Sequence, residues 1–418
     1  MSLRKTPLEE TLDLGFRHNR LPEALGRLGE YPLRHVRDVQ ALTEALNRVD
    51  RLPVDRQPDA VAALCRVMHQ VIGAEVHHRL INDLLPVLGR QFLAIRNRPA
   101  AKSENLLAAL KVMALYDWAP SWRLITDAAG DGFGHDSELW PRVLAAVPTE
   151  SRLAEKICRT FYGALPPGRI AVGLLALANR LCEAERIQQH PFDTDEGYRH
   201  LERWLSASDR EEESPALSAA ESVHHLQPAA RNNLMALAMD HPNPRVQREA
   251  VWASARGGSE AAVKILKRYC LEVDTAHTAA EQMRSLGCGR DIPPETTAPS
   301  FAARAEASDF LQQPHVHGRP PELLEVVDER ELFWPPTEQR QRLFLIRFED
   351  ADHGRGVVLI GADAPRLLPE ADPDLPAEDL LALYCSAESA ASENPALHPD
   401  GRYNLEHGRS LLAKYNRT

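Results

Sequence analysis

A mainly α-helical protein that ends in a small α+β domain is what this sequence predicts. Three observations carry that expectation. Apolar residues recur at helical spacing through roughly the first 290 positions. Aromatic residues make up only 6% of the chain while Ala and Leu are abundant, a balance that favours helix-on-helix packing over a β-sandwich. Past a Pro-rich stretch at 291–321 the apolar period shortens to that of strands.

The helical elements follow in order. Val39, Leu42, Leu46 and Val49 mark an early helix. Over 58–73, Val61, Leu64, Cys65, Met68, Val71 and Ile72 form one apolar face. Pro58 and Asp59 suit its first turn and Gly73 the position past its end. A helix over 77–93 carries Leu80, Ile81, Leu84, Leu85 and Leu88, with Pro86 set to kink or shorten it. Ser103 reads as the N-cap of a helix over 104–116. Further helices are expected over 139–147, 151–162, 170–185 and 195–206, and their short connections make neighbours antiparallel.

The clearest internal repeat lies at 240–287. His241-Pro-Asn-Pro-Arg-Val246 is a polar entry to a helix, Val246, Ala250 and Ala253 share a face, and Gly257 and Gly258 end it. A second helix carries Ala262, Ile265, Leu266 and Tyr269. The run from Ala279 to Gly287 then aligns with Ala250 to Gly258 at an offset of 29 residues. These units resemble the HEAT-repeat family in the short form of phycobilin-lyase-type repeats. The residues that match are Pro242, Asn243, Pro244, Val246, Ala250 and Gly258, then Ala279, Ala280, Leu286 and Gly287. Gln247 stands where the family usually has Arg, Ser254 replaces a usual leucine, and the second unit lacks the Pro-Asn-Pro entry. The resemblance implies a HEAT-like α-solenoid, which periodicity extends over 1–290. It also implies that second helices line a concave partner-binding surface. Lys264, Lys267 and Arg268, on the polar side of the second helix, are the partner-binding candidates.

Residues 291–321 hold six prolines and read as a linker or strap, helical only over 300–311. In the α+β domain, 322–418, strands are expected at 342–348 and 356–361, joined as a hairpin by the polar loop 349–355. Helices over 376–389 and 405–415 are expected to cover that hairpin.

The chain carries 60 acidic against 49 basic residues, a formal net charge of −11, which argues against a general nucleic-acid binder. No apolar run approaches the roughly 18 residues that span a bilayer. Residues 1–7 include two basic side chains but no apolar segment, so no secretory signal is expected. The six cysteines form no CxxC pair and read as reduced core residues of a cytoplasmic protein.

Chemistry-bearing motifs are sparse. His69, Glu75, His77 and His78, the His224-His225 pair, and His315 with His317 read as solvated histidines; the last pair lacks an evident third ligand. Gly130-Asp-Gly-Phe-Gly134 reads as a turn between helices, and Asp193-Thr-Asp-Glu-Gly197 as the cap region of the next helix. No GxSxG elbow, P-loop or HExxH motif occurs. The expectation is therefore a non-catalytic scaffold that binds a protein partner, with no catalytic residue, no metal and no cofactor. Two rivals stand beside it: a lyase-like enzyme with its site in the C-terminal domain or at the junction with the solenoid, and a nucleic-acid protein similar to HEAT-like DNA glycosylases, which would need a basic groove.

Overall fold

The computed structural model describes residues 5–29, 31–98, 103–207, 212–313, 316–368, 371–393 and 401–416. The chain divides into two compact units, Met1–Val246 and Gln247–Thr418. The first is helical: α1 (Pro7–Arg17), α2 (Leu21–Leu28), α3 (Val36–Arg48), α4 (Gln57–Val67), α5 (Ala74–Arg79), α6 (Leu85–Arg96), α7 (Ser103–Leu115), α8 (Ser121–Gly130), α9 (Leu139–Ala145), α10 (Arg152–Thr160), α11 (Gly168–Glu183), α12 (Asp195–Ser206), α13 (Glu213–Ser222) and α14 (Pro228–Met239). Helices close in sequence pack on one another: α1 on α2 and α3, α4 on α7, α7 on α9, α9 on α11, α11 on α13, and α12 on α14. Their shared core is aliphatic, with Trp140, Phe92 and Phe192 as its bulkiest fully buried members.

Local chemistry explains the helix ends. Thr6 and Glu9 form a reciprocal capping box at the start of α1. Thr194 accepts a hydrogen bond from the Gly197 N–H at 3.1 Å, so 193–197 is the cap region that the sequence suggests. Residues 131–136 form the turn after α8, held where the Trp140 indole donates to the Phe133 carbonyl at 2.8 Å. Pro86 neither ends nor sharply breaks its helix. A π-helical turn, Leu80–Leu84, joins α5 to α6, and the Leu85 N–H reaches back to the Leu80 carbonyl. The wider turn absorbs the hydrogen bond that proline cannot donate. The Ser103 side chain lies outside the described residues. Helices α1, α2, α8, α13 and α14 add to those expected from apolar spacing.

The second unit begins in the first turn of α15 (Pro244–Arg256), followed by α16 (Glu260–Tyr269) and α17 (Val273–Ser285). The 29-residue offset appears in the hydrogen bonds themselves. Ser259 N–H donates to the Ser254 carbonyl and Gly258 N–H to that of Ala255, at 3.1 and 3.0 Å. Cys288 N–H donates to Met283 and Gly287 N–H to Arg284, both at 2.9 Å. Both helices thus end in the same Schellman closure, with Gly258 and Gly287 at φ +88° and +75°.

The expected strap contains α18 (Pro299–Leu311), which supplies one face of a three-layer sandwich. The middle layer is an antiparallel sheet in the order β1 (Leu323–Trp334), β2 (Gln339–Asp350), β3 (Gly354–Ile360), β4 (Arg366–Leu367). The third layer is α19 (Ala377–Glu393) and α20 (Gly401–Tyr415), which pack on each other. The pleat sorts the central strands cleanly. Leu343, Leu345, Val357 and Leu359 join Trp334, Leu380 and Tyr384, whereas Phe344, Ile346, Val358 and Ile360 meet Ala303 and Ala307 of α18. Both faces being covered, the central strands read as unbroken apolar runs. The sheet has four strands where two were expected. The unexpected β1 is a charged edge strand with an irregular register between Val326 and Asp328.

Candidate functional site

The most concentrated group of ligand-type side chains lies at the β2–β3 turn. Among the described residues, His317, Asp350 and His353 are the one set of three His, Cys, Asp or Glu residues whose ligand atoms approach closely, all within 4.8 Å. Asp350 ends β2 opposite Gly354, and its buried carboxylate organises the turn that follows. Its Oδ1 accepts from the backbone N–H groups of Asp352 (2.8 Å) and His353 (3.1 Å). These are the short-range bonds by which aspartate shapes turns. The connection after α18 then returns to β2: Glu322 N–H donates to the Glu349 carbonyl at 2.8 Å, which brings His317 and Arg319 alongside.

Arg319 grips Asp350 at two points, Nη2 to Oδ1 at 2.7 Å and Nε to Oδ2 at 3.3 Å. Its Nη1 lies 3.2 Å from Asp352 Oδ2. His353 Nδ1 also contacts Asp350 Oδ1, at 3.2 Å. The guanidinium first, then the turn N–H groups and His353, hold the Asp350 carboxyl well below the usual carboxylate range. Oδ1 is crowded, while Oδ2 has one long hydrogen bond. His317 faces that freer oxygen, with Nδ1 3.7 Å from Oδ2. The His317 ring stacks on His353 (centroids 4.2 Å, 11° between planes) and meets Phe348 edge-on at 5.1 Å. Its side chain is 9% exposed, and Nδ1 is buried without a hydrogen-bond partner. Burial, then the neighbouring His353, lower its affinity for a proton, against the pull of Asp350.

A second histidine group lies in the helical unit. His190 is buried, with Nε2 3.0 Å from Asn179 Oδ1 and Nδ1 accepting the Phe192 N–H at 3.2 Å. Asn179 in turn donates to the Ser218 carbonyl (2.9 Å) and Glu221 (3.0 Å). Both His190 nitrogens are satisfied in one neutral tautomer, and burial holds its pKa down to about 3. The ring of His190 lies parallel to that of His225, at 6.2 Å. The group is an internal brace.

The other residues singled out by sequence lie apart. His69, His77 and His78 are exposed; His69 contacts the Arg66 carbonyl of its own turn and His77 packs against Tyr116. Lys264, Lys267 and Arg268 are exposed on α16, and none of them forms an ion pair with a described residue. All six cysteines are free, and burial pushes Cys65, Cys158 and Cys385 up to about 12, far from nucleophilic use. His315 lies outside the described residues. The sequence reads His317 as a solvated histidine, but its side chain is only 9% exposed, and it leaves Asp350 and His353 inside a hairpin loop. The available signal was the Asp-x-x-His spacing in that turn, which places both side chains on one side of it.

No family model, curated protein or solved structure matches this chain. No helix among the described residues is long and apolar enough to cross a membrane.

Proposed function

We propose that this protein is a non-catalytic scaffold that binds a protein partner through a HEAT-like helical array, with the basic face of α16 as its charged contact. The observation that carries this reading is the exposed set Lys264, Lys267 and Arg268. At i, i+3 and i+4 the three share one helix face, and none is ion-paired with a described carboxylate in a chain of net charge −11. Charges left unpaired on such a chain suit an acidic protein segment, and they act mainly on encounter rate and specificity. Two features support the repeat reading: helices of the first unit pack on near neighbours in sequence, and the Schellman closure recurs at 29 residues. The free cysteines fit a cytoplasmic setting.

Affinity purification of the full chain beside a Lys264→Glu/Lys267→Glu/Arg268→Glu variant tests the reading. Circular dichroism and melting would first establish that the variant folds. At least one protein held by the wild type should be lost, or retained at least about tenfold less, with the charge reversal. An identical retained set for both chains would sink the reading.

The second reading is an enzyme with its site in the C-terminal α+β domain. The cluster of His317, Asp350 and His353 favours it, because two imidazoles and a carboxylate are also the donor set of many hydrolytic metal centres.

A further inference from the structure

We propose that His317, Asp350 and His353 form a binding site for a divalent first-row transition-metal cation, with Arg319 as an internal competitor that holds the carboxylate when the cation is away. The proposal is independent of the scaffold reading.

The donor types come first. Two imidazoles and one carboxylate suit borderline cations such as Zn2+ and Co2+, and are too nitrogen-rich for Mg2+ or Ca2+. Geometry follows. His317 Nδ1 and Asp350 Oδ2 face each other at 3.7 Å, too far for a hydrogen bond. Bonds of about 2.0–2.2 Å from one cation reach both atoms across that gap. His353 supplies the third donor. The three atoms lie within 4.8 Å of one another, so the triad must contract on binding, and the 41% exposed His353 side chain on its turn is the part able to swing.

The unpartnered His317 nitrogen is the most telling feature. With the proton on Nε2, the Nδ1 lone pair faces a carboxylate oxygen, acceptor against acceptor; with the proton on Nδ1, the 3.7 Å separation leaves the N–H without a hydrogen bond. In either form the buried nitrogen lacks a hydrogen-bond partner, which is costly away from water. A cation between the two atoms turns that conflict into coordination. Phe348 packs edge-on against the His317 ring and fixes its orientation, as the surroundings of a metal-ligating histidine commonly do.

Charge decides what Arg319 does. Asp350, Asp352 and Arg319 together carry one net negative charge, so a cation is not excluded. Arg319 already spans both carboxylates, at 2.7 Å from Asp350 and 3.2 Å from Asp352, and is 36% exposed. When a cation takes Asp350 Oδ2, the guanidinium can release that oxygen and keep Asp352. No covalent bond changes in this exchange. Arg319 therefore weakens cation binding while stabilising the cation-free turn.

The test is calorimetric titration of Zn2+ into the full chain, after chelator treatment, for the wild type, His317→Ala, His353→Gln and Arg319→Gln. Visible absorption of bound Co2+ reports the coordination directly. The wild type should bind one equivalent more tightly than any remaining surface histidines do. His317→Ala and His353→Gln should each weaken that site at least about tenfold and remove the Co2+ bands, as losing a ligand requires. Arg319→Gln should bind more tightly than the wild type. His353→Gln alters an exposed turn residue, so it reports on the site even where His317→Ala disturbs folding. Unchanged Zn2+ isotherms for the two histidine variants would overturn the site, and weaker binding by Arg319→Gln would overturn the competition.

Discussion

The Asn416 side-chain amide is bonded to both backbone groups of Phe333: its Oδ1 accepts from the Phe333 N–H at 2.8 Å, and its Nδ2 donates to the Phe333 carbonyl at 3.0 Å. Phe333 lies near the end of β1, an edge strand whose outer backbone groups lack a partner strand. Asn416, just past α20, therefore supplies to one residue what a neighbouring strand would supply. Charged residues and a register break protect the rest of that edge.

Asn416→Ala should lower stability by about 1–2 kcal/mol, the usual net worth of two such hydrogen bonds. Asn416→Asp retains the acceptor for the Phe333 N–H but sets a carboxylate against the Phe333 carbonyl, so it should cost at least as much. Urea denaturation gives the stabilities, and amide exchange at Phe333 should quicken in the alanine variant. Unaltered exchange there would show that the amide does not close the edge.

Gly258 and Gly287 make a paired prediction. A Cβ at either position meets nothing within 4 Å, so the penalty for substitution comes from the backbone alone. Alanine in the left-handed region costs about 1–2 kcal/mol, partly offset by the lower entropy of the unfolded chain. Gly258→Ala and Gly287→Ala should each destabilise by about 1 kcal/mol, and Gly258→Asn by less, because asparagine tolerates this conformation. If alanine and asparagine cost the same in thermal melts, the left-handed closure is not what fixes these helix ends.

What the sequence revealed and what it hid have one physical cause. Period is a local signal, and it exposed the segments whose faces are buried: the stripe at Leu80, Leu84 and Leu88, and the run Leu343–Ile346 covered on both sides. It did not expose β1. Glu325, Asp328, Glu329, Arg330 and Glu331 break the apolar alternation, and an edge strand with an irregular register can carry them. The glycine closures were legible because one residue type reports one backbone conformation. The histidine–aspartate cluster was not, because His317 reaches Asp350 and His353 only after the chain from α18 has run back beside the β2–β3 turn. A burial pattern carries no information about such a meeting.

His190 makes stability depend on pH. The unfolded chain takes up a proton near 6.5, whereas the buried ring resists it down to about 3. Above about 6.5 the residue is neutral in both states and contributes no slope. As pH falls from 6.5 towards 3 the unfolded state binds the extra proton, and stability drops by about 1.4 kcal/mol per unit. His190→Asn offers a donor and an acceptor without titrating. Denaturation midpoints between pH 7 and 4 should therefore fall less steeply in the variant. Parallel curves would mean that His190 takes up its proton in the folded protein.

Glu388 works in the opposite sense. Its Oε2 accepts the Trp334 indole N–H at 2.7 Å, while Oε1 is buried without a hydrogen bond and 3.7 Å from Arg366 Nε. Burial raises its pKa above the ordinary 4.5, against the pull of Trp334 and Arg366. A carboxyl with a raised folded pKa costs nothing while protonated in both states, below about 4.5. Its penalty grows as pH rises from about 4.5 towards the raised folded value and is complete above it. Glu388→Gln keeps an acceptor for the indole and removes the charge, so it should stabilise the C-terminal domain at pH 7. That advantage should disappear at pH 4. Trp334 is fully buried, and unchanged tryptophan emission would show that its hydrogen bond survives the exchange. A less stable variant at pH 7 with unchanged emission would mean that attraction to Arg366 outweighs the cost of burying the carboxylate.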